Sequence, residues 1–251
     1  MKIAVCVKQA LDEAELRVDP SGRPQLEGAA TKMSTFDKNA VEEALRVRAA
    51  LGGEVVVFTV GGPDAKKSLK EALAMGADRG TLVVSQPFAL DTLGTARLLS
   101  DAIARAGPFD LVVCSEGSSD AYTGQVPPML AELLGLPYVG YSRKIEAGEG
   151  KVVAERALEE AVETVEAPMP AVVSVVSEIN EPRYPTLIQI MQAAKKPIEE
   201  SSPAMPAAER AAQVTGMRVQ QVSRKHVIFE GAPEEAAKKL LEALRKDGVL
   251  Q

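Results

Sequence analysis

The chain has 251 residues, of which 46% are hydrophobic and 25% are charged, and its formal net charge is -6. This composition predicts one large globular domain, with or without an appendage, and excludes disorder along most of the chain. The acidic balance argues against non-specific nucleic-acid binding, and no apolar run approaches membrane-spanning length. Two cysteines, Cys6 and Cys114, lie in apolar runs, and the start of the chain has no signal-peptide pattern. We therefore expect a soluble cytoplasmic protein with buried thiols.

The first half of the chain alternates short β-branched runs with amphipathic helical stretches. The predicted strands are residues 3–7, 54–60, 81–84 and 111–114, and the predicted helices are near 38–51, 65–75, 92–106 and 128–134. Asp91 is suited to cap the third helix, and Gly76 and Gly135 provide left-handed residues after the second and fourth. This alternation predicts a parallel sheet covered on both faces, with ligands beyond the carboxyl ends of the strands.

A change of pattern at residues 137–167 predicts an antiparallel excursion. Charged strands such as 151–158 alternate there, and the acidic stretch 159–166 is interpreted as a solvated strand face because no histidine is near. An apolar strand at 171–176 then returns to the core. We predict no metal site.

A polar loop punctuated by prolines leads from that strand into a short apolar helix. Pro182 and Pro185 exclude regular helix or central strand, and Thr186 is suited to cap the helix that follows. Leu187, Ile190 and Met191 then share one helical face. The segment favours a partner-binding surface, and the alternative is an ordinary loop with a core-facing helix.

The C-terminal part has the composition of a linker followed by a helix. Residues after Ile198 are rich in Pro, Ala and Ser through Gln213, which predicts an extended linker. The helix near 233–244 is amphipathic, and its apolar face consists of Ala237, Leu240, Leu241 and Leu244. We therefore divide the chain into an α/β domain at 1–198 and an arm at 199–251 that folds back or embraces another subunit.

The loop after the fourth strand is the best candidate for binding a phosphate. It is rich in small and hydroxyl residues and precedes a helix, so backbone N–H groups with Ser118, Ser119 and Thr123 can donate to an anion. The alternative is a flexible loop without a ligand. Phe36 lies between the first strand and first helix, either as a core anchor or as a wall beside an aromatic ligand.

The residues needed for catalysis cannot be assembled. His226 is the sole histidine, and no Ser–His pair, zinc ligand set or Walker-type loop is present. This absence favours a binding or carrier subunit over an enzyme.

Four segments in order resemble the beta (small) subunit of electron-transfer flavoprotein. They are residues 5–8 with Asp12, 40–45, 72–80, and 181–191 with Lys195 and Lys196. The resemblance covers essentially the whole chain. It implies an α/β fold of the doubly wound, parallel-sheet, adenine-nucleotide-binding (alpha-hydrolase-like) type, with an antiparallel excursion and a C-terminal helical arm.

The resemblance also implies a heterodimer with a larger alpha subunit, which holds most of the FAD. FAD takes electrons from acyl-CoA dehydrogenases and similar flavoenzymes in fatty acid oxidation and passes them to a quinone oxidoreductase. The beta subunit is expected to bind AMP as a structural ligand and to dock the dehydrogenase. The implied cofactor-binding residues are Cys6, Ser34, Thr35, Phe36, Asp37, Gly61, Gly117, Ser118, Ser119, Asp120, Thr123, Gly124, Gln125 and Val126. The implied partner-recognition residues are Arg183, Tyr184, Leu187, Ile190, Met191, Lys195 and Lys196.

Two alternatives stay open at this point. The phosphate loop, residues 114–125, departs from the family pattern and carries Glu116, so a second FAD in place of AMP, as in electron-bifurcating relatives, is an alternative. A stand-alone nucleotide-binding domain of universal-stress type is the other, although it leaves the arm and the Leu187 loop unexplained.

Overall fold

The computed structural model describes residues 1–86, 90–202, 210–219 and 225–250. The strands are β1 Lys2–Cys6, β2 Gln9–Leu11, β3 Thr31–Met33, β4 Glu54–Gly61, β5 Arg79–Val84, β6 Leu111–Ser115, β7 Tyr138–Gly148, β8 Lys151–Ala157, β9 Val162–Pro168, β10 Ala171–Val175 and β11 Ile198–Ser201. The helices are α1 Thr35–Leu51, α2 Lys66–Met75, α3 Thr92–Arg105, α4 Val126–Leu134, α5 Leu187–Ala193 and α6 Pro233–Lys246.

A nine-stranded sheet organises the described residues, in the order β11-β5-β4-β1-β6-β10-β7-β8-β9. All pairings from β11 to β7 are parallel, and the β7–β8 and β8–β9 pairings are antiparallel. The fold is therefore α/β with an antiparallel excursion, as predicted. A separate antiparallel pair, β2 and β3, forms within the long connection that follows β1.

Alternation along the parallel strands fills two apolar layers. In β1, Ile3 and Val5 join a core cluster that includes side chains of α1 and α2, and Ala4 and Cys6 join one that includes side chains of α3 and α4. Both layers consist of fully or nearly fully buried side chains because successive strand residues point to opposite faces and each face is covered.

Local signals predicted the helix ends well. The Asp91 carboxylate accepts a hydrogen bond from Gly94 N–H at 2.7 Å, and Thr186 forms a capping box with Gln189. Gly76 and Gly135 both have positive φ after α2 and α4. Helix α1 starts three residues before its predicted start, at Thr35, which places Asp37 inside its first turn.

Strand β11 was missed by the sequence analysis. Its four residues pair in parallel with β5 at the edge of the sheet, so ordered structure continues past the predicted domain boundary at residue 198. Part of the predicted linker, residues 203–209, lies outside the described residues, as do 220–224. Among described residues, no helix is long and apolar enough to cross a membrane.

Candidate functional site

The order of the strands creates a switch point between β1 and β6. The chain runs from β1 outward through β4 to β5, and then returns to β1's other side with β6. Ligands of doubly wound sheets bind at such a point, beyond the carboxyl ends of the strands. The two segments that leave β1 and β6 there, residues 7–8 and 116–125, therefore form the candidate nucleotide site.

Asp37 connects the ends of both strands to the first turn of α1. Its carboxylate accepts a hydrogen bond from Lys8 N–H at 2.7 Å, and the Ser115 hydroxyl bonds to its other oxygen. Burial raises the pKa of Asp37 to about 7, although the bonds from Ser115 and Lys8 act in the opposite direction. The carboxyl thus holds the switch point together and changes its protonation near neutral pH.

An ion pair between Lys8 and Asp120 folds the loop after β6 back over the end of β1. Lys8 Nζ lies 2.6 Å from Asp120 Oδ1 and 3.2 Å from Ser118 Oγ, while Leu11 N–H donates to Asp120 Oδ2 at 3.2 Å. Burial raises the pKa of Asp120, but the bonds and charge of Lys8 outweigh this effect and lower it overall. The predicted residues Ser118 and Asp120 therefore shape the loop.

The donors that a phosphate needs lie in the next part of this loop. Ser119 N–H donates to Ser34 Oγ at 3.2 Å, and Ser119 Oγ is buried with no hydrogen-bond partner. Within the described ranges, the N–H groups of residues 123–126 donate to no protein acceptor. Because Pro127 and Pro128 have no N–H, these preceding groups supply the donors at the start of α4. The residues present fit the phosphate of a nucleotide.

An aromatic pair lies beside the loop. The rings of Phe36 and Tyr122 are tilted at 55° with centroids 5.5 Å apart, and Tyr122 has a φ of +45°. A Cβ on Gly117 would lie 2.9 Å from Tyr122 Cδ2, so glycine allows the ring to approach the loop backbone. Burial raises the pKa of Glu116, the neighbouring Tyr122 hydroxyl lowers it, and the charge of Glu178 raises it further.

The remaining predicted site residues lie at the same edge with different environments. The Cys6 side chain belongs to the core beneath α3 and α4 together with Cys114, whose pKa is raised by a hydrogen bond with Cys6 and by burial. Gly61 ends β4, and its carbonyl accepts Ser85 N–H at 2.9 Å. Thr35, the first residue of α1, is exposed.

A network of amide side chains holds the loop after β10 on α1. Asn39 Nδ2 donates to the carbonyl oxygens of Ser177 and Asn180 at 3.0 and 2.8 Å. Asn180 Nδ2 donates in return to Asn39 O and to Glu43 Oε2, both at 3.0 Å. Burial raises the pKa of Glu43, and the Asn180 bond partly offsets it.

Arg183, in the loop before α5, is bonded to Glu42 of α1. Its Nε and Nη2 donate to the two carboxylate oxygens at 2.6 and 3.0 Å, and its backbone N–H donates to Oε2 at 3.2 Å. The guanidinium predicted for partner recognition therefore pairs within the chain.

Beyond Arg183 the segment is exposed and apolar. Tyr184 is 90% exposed and Leu187 is 73% exposed, and Ile188, Ile190 and Met191 are also exposed. Helix α5 packs on α2 and buries only Ala193. The alternative of a core-facing helix is therefore wrong, and Ile188 joins the three apolar residues that the sequence analysis named.

The two lysines after α5 differ from each other. Lys195 is exposed, whereas Lys196 Nζ donates to the carbonyls of Leu73 and Ala77 at 3.0 and 2.6 Å, at the end of α2. Desolvation lowers the pKa of Lys196, although the nearby charge of Asp78 acts to raise it. Lys196 thus binds the C-terminal carbonyls of a helix, where a cation is favoured.

Comparison with known proteins decides the family. Residues 26–206 match the model of the electron transfer flavoprotein domain. The chain is 36% identical, over the full length of both proteins, to the electron transfer flavoprotein subunit beta of Thermoanaerobacterium thermosaccharolyticum. It is 38% identical to the subunit of the same name from Clostridium acetobutylicum, over 79% of this chain and 77% of that one.

The chain belongs to the electron transfer flavoprotein family, among its beta subunits. This confirms the resemblance and excludes the universal-stress alternative. It supports a role in electron transport as a flavoprotein subunit, with an alpha subunit as the partner that the beta-subunit name implies.

Sequence reasoning about this electron transfer flavoprotein subunit missed the residues that hold its segments in place. Lys8, Asn39, Glu42 and Asn180 act through contacts between residues more than 100 positions apart. The spacing of Asn39, Glu42 and Glu43 was an available signal, since polar residues at i, i+3 and i+4 share one helix face. In the described part of the chain, no group of three His, Cys, Asp or Glu side chains is placed to hold a metal.

Proposed function

We propose that this chain is the non-enzymatic subunit of an electron carrier. It pairs with an alpha subunit that holds most of the FAD, which carries electrons from acyl-CoA and other flavin dehydrogenases to a quinone-linked oxidoreductase in the cytoplasm. The single observation behind this proposal is the exposed apolar segment at residues 184–191. The residues just before it, Asn180 and Arg183, are hydrogen-bonded to α1. Aliphatic and aromatic anchors within a polar rim suit a specific, reversible protein contact.

Within this proposal, the dehydrogenase docks on Tyr184, Leu187, Ile188, Ile190 and Met191. Their exposure in the isolated chain leaves a patch that water contacts and that a partner pocket can desolvate. Lys195 adds a positive charge next to the patch, whereas Arg183 and Lys196 hold the segment in place.

The carboxyl edge of the sheet is proposed to bind AMP. The unpaired N–H groups of residues 123–126 and the Ser119 hydroxyl would hold its phosphate, with Ser34 and Asp37 keeping the loop closed. The chemistry needed there is binding alone, which agrees with a structural ligand.

A second FAD at the same place is the alternative, and a specific observation favours it. Tyr122 is exposed beside Phe36, so the loop presents aromatic surface on which a flavin ring can pack. Lys8 is already paired with Asp120, so the described loop offers mainly neutral N–H donors to the phosphate of either nucleotide.

The nucleotide content of the purified complex tests the proposal. The chain is produced with its alpha subunit, the complex is denatured, and the released nucleotides are identified by mass. One FAD and one AMP per heterodimer would support the structural-ligand form, and two FAD without AMP would support the alternative. A complex without flavin would contradict both.

A further inference from the structure

We infer that Glu42 is a positioning residue that holds the docking segment in its binding-competent shape through Arg183. Glu42 does not touch a partner, because its side chain is only 5% exposed whereas that of Arg183 is 42% exposed. The inference rests on the docking role proposed above for residues 184–191. It assigns to the second turn of α1 a part in partner recognition.

Three hydrogen bonds from Arg183 to the Glu42 carboxylate make this ion pair rigid. Arg183 uses two guanidinium nitrogens and its own backbone N–H on one carboxylate, so both its side chain and its main chain are oriented. A planar guanidinium that meets a carboxylate at two points fixes direction as well as distance. Tyr184 and Pro185 follow Arg183 directly, so the ion pair sets where the exposed part of the segment begins.

The surroundings of Glu42 favour the charged form of its carboxylate, which is the form that pairs with Arg183. Burial raises the pKa of Glu42, but hydrogen bonds from Arg183 and Arg46 outweigh burial and keep it below its usual value. Arg46 Nε binds Oε1 at 3.1 Å from one turn further along α1, so both oxygens are satisfied. Exposed ion pairs contribute little on average, whereas a buried carboxylate that loses its partner incurs a large penalty.

The Glu42–Arg183 ion pair also explains how the short helix α5 can expose apolar side chains without packing them. Helix α5 has seven residues and buries only Ala193, so its own burial contributes little to its stability. It begins four residues after Arg183 and ends before Lys196, which binds the end of α2. The segment is therefore fixed at both ends and exposed between them.

The test uses the full heterodimer with the double variant Glu42→Gln/Arg183→Gln. Replacing both charged groups with neutral amides removes the ion pair without leaving a buried charge unpaired, so the midpoint of thermal unfolding should stay close to that of the parent. We expect amide hydrogen exchange at residues 183–191 to accelerate about tenfold or more, with exchange in β1, β4 and β6 unchanged. Arg46→Gln is the matched control, since it removes a partner of Glu42 that does not contact the segment.

The kinetic readout separates positioning from folding. With an acyl-CoA dehydrogenase as the electron donor, KM for the flavoprotein should rise roughly three- to tenfold in the double variant, because a smaller fraction of the segment is in the competent shape. The value of kcat at saturation and the nucleotide content should stay unchanged. Arg46→Gln should leave both KM and exchange near the parent values.

Two results would overturn the inference. Unchanged exchange at residues 183–191 would show that the pair does not hold the segment. Faster exchange with an unchanged KM would show that docking does not need it. Leu187→Ala in the same assay then separates the docking role of residues 184–191 from the positioning role of Glu42. A raised KM in this variant would retain the docking role while the positioning role fails, and an unchanged KM would contradict both.

Discussion

Helices α5 and α6 both present apolar side chains to solvent, but they differ in what holds them. Helix α5 lies between the base at Asn180 and Arg183, which is fixed to α1, and Lys196, which is fixed to α2. Helix α6 buries no residue, and Leu240 and Leu241 on its apolar face are exposed.

This difference indicates two kinds of contact. A surface that is already ordered loses little conformational entropy when a partner binds, which suits repeated association and release. An amphipathic helix without a covered face needs a partner for burial, which suits a permanent subunit contact. We therefore propose α5 for the dehydrogenase and the arm around α6 for the alpha subunit.

Removing the arm should produce the largest effect. A chain ending after Ser202 keeps β11 and the sheet but lacks α6. Leu240, Leu241 and Leu244 are already about half-buried, so burying the rest of them against a partner is worth roughly 1 kcal/mol each, and heterodimer affinity should fall about a hundredfold. Co-purification and size-exclusion chromatography with the alpha subunit measure it.

The control for the arm keeps its length and changes one face at a time. Leu240→Ser/Leu241→Ser should weaken assembly strongly, whereas Lys238→Ser/Glu242→Ser should not. A stable, flavin-loaded heterodimer from the truncated chain would remove the distinction between the two helices.

The pH dependence of stability tests the buried carboxyl of Asp37, which lies in α1, the helix to which the loop before α5 is bonded. Burial raises its folded-state pKa to about 7 from 3.8, so between these values the folded protein binds a proton that the unfolded chain has released. The stability contributed by this group therefore falls as pH rises from about 4 to about 7, and is level above. Relative to the parent, the free energy of unfolding of Asp37→Asn should therefore rise by about 2–3 kcal/mol from pH 5 to pH 8, measured by urea unfolding.

Asp120→Asn provides the matched control for that measurement. The pKa of Asp120 is lowered below its ordinary value of 3.8, so its contribution is lost only as pH falls below that range. The Asp120→Asn variant should keep most of the parent's pH response between pH 5 and pH 8, because burial and not the Asp120 charge is the main cause of the raised pKa of Asp37. An equal pH response in both variants would contradict the assignment to Asp37.

A single apolar truncation on α5 should give a smaller effect. Leu187→Ala removes the anchor while leaving the bonds of Arg183 and Thr186 in place, so electron transfer from an acyl-CoA dehydrogenase should slow about tenfold. Flavin content should not change. Gln192→Ala on the same exposed helix is the control, and loss of flavin in Leu187→Ala would contradict the docking role.

Elements whose signal is local could be predicted from the sequence. The buried strands β1, β4, β6 and β10 consist mostly of apolar residues, and the caps at Asp91 and Thr186 depend on residues within one turn. Strand β11 was missed because Ile198 is its only apolar residue and an edge strand needs no buried pattern.

The candidate site was predicted only in part. The loop at 117–126 was predicted from its small and hydroxyl residues, yet the bonds that fold it depend on Lys8 and Asp37, which approach it through the sheet. Arg183 and Lys196 were predicted to face a partner because a free cation and a structurally paired one look the same in a sequence. Their partners lie 141 and more than 100 positions away.

The place of β11 has a consequence for engineering partner choice. The chain leaves β10 inside the sheet, passes through α5 and re-enters the sheet at the far edge beyond β5, so the segment proposed for docking, residues 184–191, is part of a crossover and not a detachable hairpin. Transplanting the whole stretch between β10 and β11 from another family member would also replace the contacts to α1 and α2. A chimera limited to residues 184–191 would change the surface proposed for docking while preserving the contacts to α1 and α2 that support it.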